Sequence, residues 1–267
     1  MSARDSLSAR DFLIRGLLAG LIAACAAFAV AYVVGEPPVR AAIALEDSAG
    51  SGHTHGTEAG DEHAEAPAPG EVEVPRSLQS TLGLLTGLLV AGVTIGGLAG
   101  VLSAIAMGRF GRLTPRTTTL AVAAIGFVTV YAVPFLIYPP NPPAVGSGDT
   151  IGLRSALYFI ALAISLIAAV TAILVGRGLA TRLGGWHAAL VGIAGYLVVM
   201  LVVAGLLPQY NEVPATFPAS VLYDFRRASF LTQLTLWAVL GVVLADLVGR
   251  LSRRGSASEP ALADVRG

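Results

Sequence analysis

Apolar positions come in six long runs rather than in periodic stripes. They cover residues 12–34, 82–107, 118–138, 153–175, 187–207 and 230–248. Each reaches the roughly 20 residues that a helix needs to cross a hydrocarbon core. Lipid offers the backbone no hydrogen-bond partner, so runs of this length predict transmembrane helices. The ten-residue alternation of a membrane β-barrel does not occur. The expected fold is an all-α polytopic integral membrane protein with about six transmembrane helices.

The polar intervals set the orientation. Every one of the 17 basic residues is arginine. Arg4, Arg10, Arg15, Arg109, Arg112, Arg116, Arg177, Arg182, Arg250, Arg253, Arg254 and Arg266 fall on one side of the alternation, and only Arg40, Arg76, Arg154, Arg226 and Arg227 on the other. Basic residues concentrate on the cytoplasmic side, which predicts cytoplasmic N- and C-termini. The chain then divides into a cytoplasmic N-terminus and first helix (1–34), an external His/acid-rich flexible loop (35–81), a five-helix bundle with Pro-rich external loops (82–249) and a disordered cytoplasmic tail (250–267). The run "IAAC" (22–25) has the form of a lipoprotein cleavage site, but nine apolar residues follow Cys25 where a mature lipoprotein turns polar.

Composition narrows the chemistry. Charged residues make up 13% of the 267 and mean hydropathy is +0.74, against about 25% charged in a soluble domain. With no lysine, no Walker A loop can be completed, so the chain is not itself a P-loop ATPase. One cysteine permits no internal disulfide. Zero net charge gives no sign of nucleic-acid binding. No nucleophile elbow, zincin motif or glycine-rich nucleotide loop occurs, which argues against an enzyme.

Candidate chemistry lies on the predicted external face. The first loop contains "EDSAGSGHTHGTEAGDEHAEAPAPGEVEV", with His53, His55 and His63 among Glu58, Asp61, Glu62 and Glu65. Imidazoles with carboxylates suit Co, Ni, Cu or Zn, so the loop reads either as a metal collector or as a solvated acidic linker. The second loop contains "YPPNPPAVG" (138–146), whose prolines fix φ and predict a stiff extended segment ending the third span. The third, 206–227, carries three more prolines with Glu212 and Asp224. Together they predict an ordered external mouth, or simple helix termination with aromatic anchors. Within the spans, Gly16/Gly20, Gly83/Gly87, Gly92/Gly96 and Gly96/Gly100 have the spacing of close helix contacts. Pro134 predicts a kink, and Thr232, Gln233 and Thr235 read as helix-packing groups or, alternatively, as ion ligands. No span has an ionisable centre, so a proton relay is not indicated.

In order along the chain, "FLIRGLLAGLIAA" (12–24), "ALEDSAGSGHTHG" (44–56), "PFLIYPPNPPAVGSGDTIGLR" (134–154) and "VPATFPASVLYDFRRASFLTQLTLW" (213–237) resemble the CbtA family of predicted cobalt transporter subunits. The resemblance implies transport of Co2+ in support of cobalamin biosynthesis, with no cofactor, through a multi-pass protein of the bacterial plasma membrane. It also implies a small single-span partner subunit bearing histidines. Carried over to this chain, the metal ligands would be Glu46, His53, His55 and His63. The family is described with about five spans, one fewer than the apolar runs counted here. The competing expectation is a membrane scaffold or metal sensor that recruits a partner and transports nothing.

Overall fold

Backbone satisfaction within lipid accounts for the architecture. In the computed structural model, which describes residues 8–51, 75, 78–109 and 113–263, every long element is helical, and no strand occurs among the described residues. The elements are α1 (Ala9–Val30), α2 (Glu36–Ser51), α3 (Leu84–Ala106), α4 (Pro115–Gly126), α5 (Val133–Ile137), α6 (Ile151–Leu206) and α7 (Ala219–Ala263). π-helical turns over Ala31–Gly35 and Phe127–Ala132 join α1 to α2 and α4 to α5, and a third, Gln79–Gly83, leads into α3. Five continuous stretches are long and apolar enough to cross a membrane: Ala9–Ser48, Ser80–Ala106, Pro115–Ile137, Gly148–Leu206 and Ala219–Arg253.

The fourth stretch accounts for the difference between five spans and six. Its 59 residues are interrupted at Gly184, where φ is +75° and ψ 157°. Only glycine adopts this backbone without a Cβ penalty. The chain doubles back there. A Cβ placed on Gly192 would lie 2.9 Å from the Ala172 carbonyl oxygen, and one on Gly176 3.3 Å from that of Ala188. Residues 151–183 and 185–206 are therefore antiparallel partners in a helical hairpin. Six apolar runs are present in five continuous stretches.

Local chemistry sets the helix starts. Ser8 caps α1, its hydroxyl accepting from the Asp11 N–H at 3.2 Å. Thr114 caps α4 in the same way, with Pro115 in the first turn, where its missing N–H costs nothing.

α1 and α3 meet backbone to backbone and run antiparallel. A Cβ on Gly20 would approach the Gly92 oxygen to 2.1 Å, one on Gly96 the Gly16 oxygen to 2.3 Å, and one on Gly100 the Phe12 oxygen to 2.4 Å. Without a hydrophobic driving force between helices in lipid, such close approach supplies the dispersion that holds them. Gly87 has nothing within 4 Å and Gly83 meets only the Leu78 oxygen, at 3.8 Å, so this expected pair makes no close contact. α7 packs antiparallel along α1 and α4. Leu236, Trp237, Leu240, Leu244 and Val248 fill the core against Phe12, Ala19, Ala23 and Ala27. Trp237 lies where a Cβ on Gly126 would stand. The α6 hairpin sits to the side, packed on α5 through Ile137, Ala168, Ala169, Tyr196 and Met200.

The kink expected at Pro134 is a π-helical turn. The Val133 N–H reaches back five residues to the Val128 oxygen. The next donor in that series would be Pro134, which has no N–H, so the Thr129 carbonyl is left without a helical donor. The Ser165 hydroxyl fills the gap, donating to Thr129 O at 2.7 Å with Tyr196 Oη 2.9 Å away on its other side. One proline thus creates the acceptor that anchors the hairpin.

Two expected boundaries move. The helix of the first span does not stop at residue 34. A π turn ahead of Pro37 and Pro38 absorbs their lost hydrogen bonds, and the helix continues to Ser51 through the start of the expected flexible loop. At the other end α7 continues to Ala263, into the expected disordered tail.

Candidate functional site

The proline segment begins where α5 ends. Tyr138 leaves the helix at φ −129°, ψ 80°, and the prolines that follow offer no N–H with which to rebuild it. A chain that cannot bond to itself is bound from outside. Arg226, in the second turn of α7, donates through Nε to the Pro140 oxygen at 3.3 Å and through Nη2 to Asn141 Oδ1 at 3.0 Å. The planar guanidinium presents donors in two fixed directions at once, which an ammonium does not. The Tyr138 hydroxyl donates to the Pro208 oxygen at 2.7 Å, tying the segment to the end of α6.

A second knot centres on Glu212. Its carboxylate accepts from the Ser147 N–H at 2.9 Å and lies 3.4 Å from Arg154 Nε, while Arg154 Nη2 donates to the Ser147 oxygen at 3.3 Å. The Thr150 hydroxyl, the Ser147 N–H and the Arg154 charge hold the Glu212 carboxyl below the usual carboxylate range. The guanidinium occupies the space beside Gly146 (φ +113°), where an added Cβ would lie 2.6 Å from it. Two loops separated by a helical hairpin are thereby fastened into one surface. These cross-links order the proline segment and the 206–227 segment against each other.

Glu36 lies at the π turn between α1 and α2, buried to 6% exposure and ion-paired with Arg40 at 3.1 Å. Glu46 is exposed, nearly three turns further along α2. His53, His55 and His63 lie outside the described residues, as do Glu58, Asp61, Glu62 and Glu65. Among the described residues no group of three His, Cys, Asp or Glu side chains could hold a metal ion. His187 is exposed beside Trp186, close to the turn of the α6 hairpin at Gly184. Thr232 donates to the Ala228 oxygen one turn back and stays within its own helix.

The sequence singled out Glu212 without a role and counted Arg154 and Arg226 only for topology. The signal was an arginine at a helix end facing a proline run that needs donors. Its partner could not be found from spacing, because 85 residues separate Arg226 from Asn141.

A family model described as "probable cobalt transporter subunit (CbtA)" matches residues 9–249, from the first residue of α1 to the last turns of the apolar part of α7. The chain belongs to the CbtA family. The match takes in four of the five long apolar stretches whole and the fifth as far as residue 249, together with both knots and the histidine-bearing segment. Membership and the five apolar stretches make this a multi-pass membrane protein whose family is that of a cobalt transporter subunit, a designation that implies a further component in the complex. Comparison with curated proteins and with solved structures gave no match.

Proposed function

We propose that this CbtA member is the membrane subunit of a divalent transition-metal uptake system, with Co2+ as its cargo and cobalamin biosynthesis as the process it supplies. The observation that carries the reading is the family match over residues 9–249. His53, His55 and His63, with Glu46 at the approach to them, capture the ion outside the cell. The proline mouth receives it above the helical bundle. Imidazole and carboxylate donors accept cobalt readily and nickel or zinc nearly as well, so selectivity rests on geometry and supply. Both termini are cytoplasmic, in a bacterial plasma membrane, following the distribution of arginine. The protein is no enzyme and has no cofactor of its own. The other component is a small single-span subunit bearing histidines. With no lysine for a phosphate-binding loop, the driving force is a gradient or a partner's ATPase.

The test is accumulation of Co2+ at limiting external metal in cells lacking their own importers. Wild type, a triple His53/His55/His63→Ala variant and an empty vector are compared, each with the small subunit present. Uptake by wild type that falls severalfold in the triple variant is expected. Uptake equal in the two reduces the histidine segment to a linker. No uptake by wild type, with metal held only at the outer surface, favours the scaffold or sensor instead.

A further inference from the structure

We infer that the groove between α5 and the start of α7 is a binding site for one anionic phospholipid. This cavity of about 430 Å³ is of ligand-site size. Phe135, Phe230 and Leu231 form its apolar floor and Arg226 and Arg227 its cationic rim, with Leu222 one turn beyond the arginines toward the start of α7. The arginines lie one helical turn before Phe230, where the last apolar run begins. Apolar surface toward the bilayer centre and guanidinium toward water follow the order of a phospholipid, acyl chain below and phosphate above. A guanidinium at a helix end pairs with a lipid phosphate through charge-assisted hydrogen bonds.

Charge at the rim favours an anion. Two guanidinium groups face one carboxylate, Asp224, which lies 3.1 Å from Arg227 Nη2. Arg226 is engaged by Pro140 and Asn141. Arg227 remains half exposed, its guanidinium carbon 5.9 Å from the Tyr223 ring centroid. Ala219 lines the groove at the first turn of α7, whose unbonded N–H groups add positive field. A lipid fits better than a partner helix. The lining residues of α7 span only 219–231, about 18 Å of helix, too short a track for a membrane-crossing partner helix.

The test uses the full-length chain in mild detergent, titrated with dioleoyl phosphatidylglycerol or dioleoyl phosphatidylcholine and read by native mass spectrometry. Wild type is expected to bind one phosphatidylglycerol with about tenfold preference, the scale of one charge-assisted hydrogen bond. Arg227→Gln should remove the preference while leaving the mouth contacts of Arg226 in place. Leu231→Trp, which fills the floor, should lower occupancy by both lipids. Circular dichroism and thermal unfolding check that each variant is folded. No preference in wild type overturns the proposal, as does a preference that survives both substitutions. Loss of self-association or of a co-purified polypeptide in Leu231→Trp, with lipid binding unchanged, overturns it in favour of helix docking.

Discussion

Replacing Gly96 by alanine tests the central contact of the bundle against an internal control. The new Cβ would lie 2.3 Å from the Gly16 oxygen, 2.7 Å from Gly20 Cα and 2.9 Å from Gly20 N. Carbon finds its optimum near 3.5–4.0 Å, so α1 and α3 must separate by roughly 1 Å at this level, and a gap of that size forfeits a quarter to a half of the dispersion across it. Every close atom belongs to backbone, so no side chain can rotate away. Overpacking of this kind costs about 1–3 kcal/mol, partly offset by the helical preference of alanine over glycine, at most about 1 kcal/mol. Gly87, on the same helix, has nothing within 4 Å. Alanine there keeps the propensity gain without the clash. The propensity gain cancels between the two variants, which should differ by about 1–3 kcal/mol, Gly96→Ala being the weaker, a factor of roughly 5 to 150 in the unfolding constant. Reversible unfolding in mixed micelles at increasing dodecyl sulfate fraction reads this difference directly. Equal midpoints for the two variants would refute the backbone-contact account of the α1–α3 pair.

Further predictions follow from the same structure. Ser165→Ala should cost about 1–3 kcal/mol by stranding the Thr129 carbonyl. In a Pro134→Ala background, where an N–H is available again, the penalty should fall by half or more, and a double-mutant cycle with no coupling would break the link between that proline and the hairpin. Glu212 has a lowered folded-state pKa, so its contribution is complete above the unfolded value, 4.5 for the free side chain, and is lost as pH falls through the lower folded value. Thermal stability should therefore be flat from neutral pH down to about pH 5 and decline below it, with a smaller acid decline in Glu212→Gln; identical acid limbs would remove Glu212 from the mouth. Exchanging Pro139, Pro140, Pro142 and Pro143 for alanine should reduce Co2+ uptake more than it reduces membrane insertion, measured as uptake per inserted molecule.

The membrane spans were legible because hydrocarbon is an undemanding reader: twenty apolar residues suffice, whatever their order. What order decides is contact, and there the sequence was ambiguous. Gly83/Gly87 and Gly92/Gly96 have the same spacing, yet only the second pair faces another backbone. Helix rotation is set by every neighbour together and is not contained in a four-residue motif. Pro134 was visible as a defect, but the π turn and the Ser165 hydroxyl that answers it depend on a partner 36 residues from Thr129. The helix over Glu36–Ser51 was missed for a related reason. Pro37 and Pro38 signal termination unless the preceding turn widens, and the widening is a tertiary outcome. The stiffness of "YPPNPPAVG" could be read from φ restriction alone, whereas its fastening by Arg226 could not. Of the candidate metal ligands, Glu46 is the one within the described residues.

The continuation of the first helix past its prolines fixes a stand-off distance. The 16 residues of α2 extend about 24 Å along their axis, not far short of the roughly 30 Å thickness of a hydrocarbon core. Glu36 at the base of α2 is buried and Glu46, ten residues on, is exposed, so one continuous helix sets the two carboxylates about 15 Å apart along its axis. Lengthening or shortening the helix between them by two whole turns would change that separation by about 11 Å.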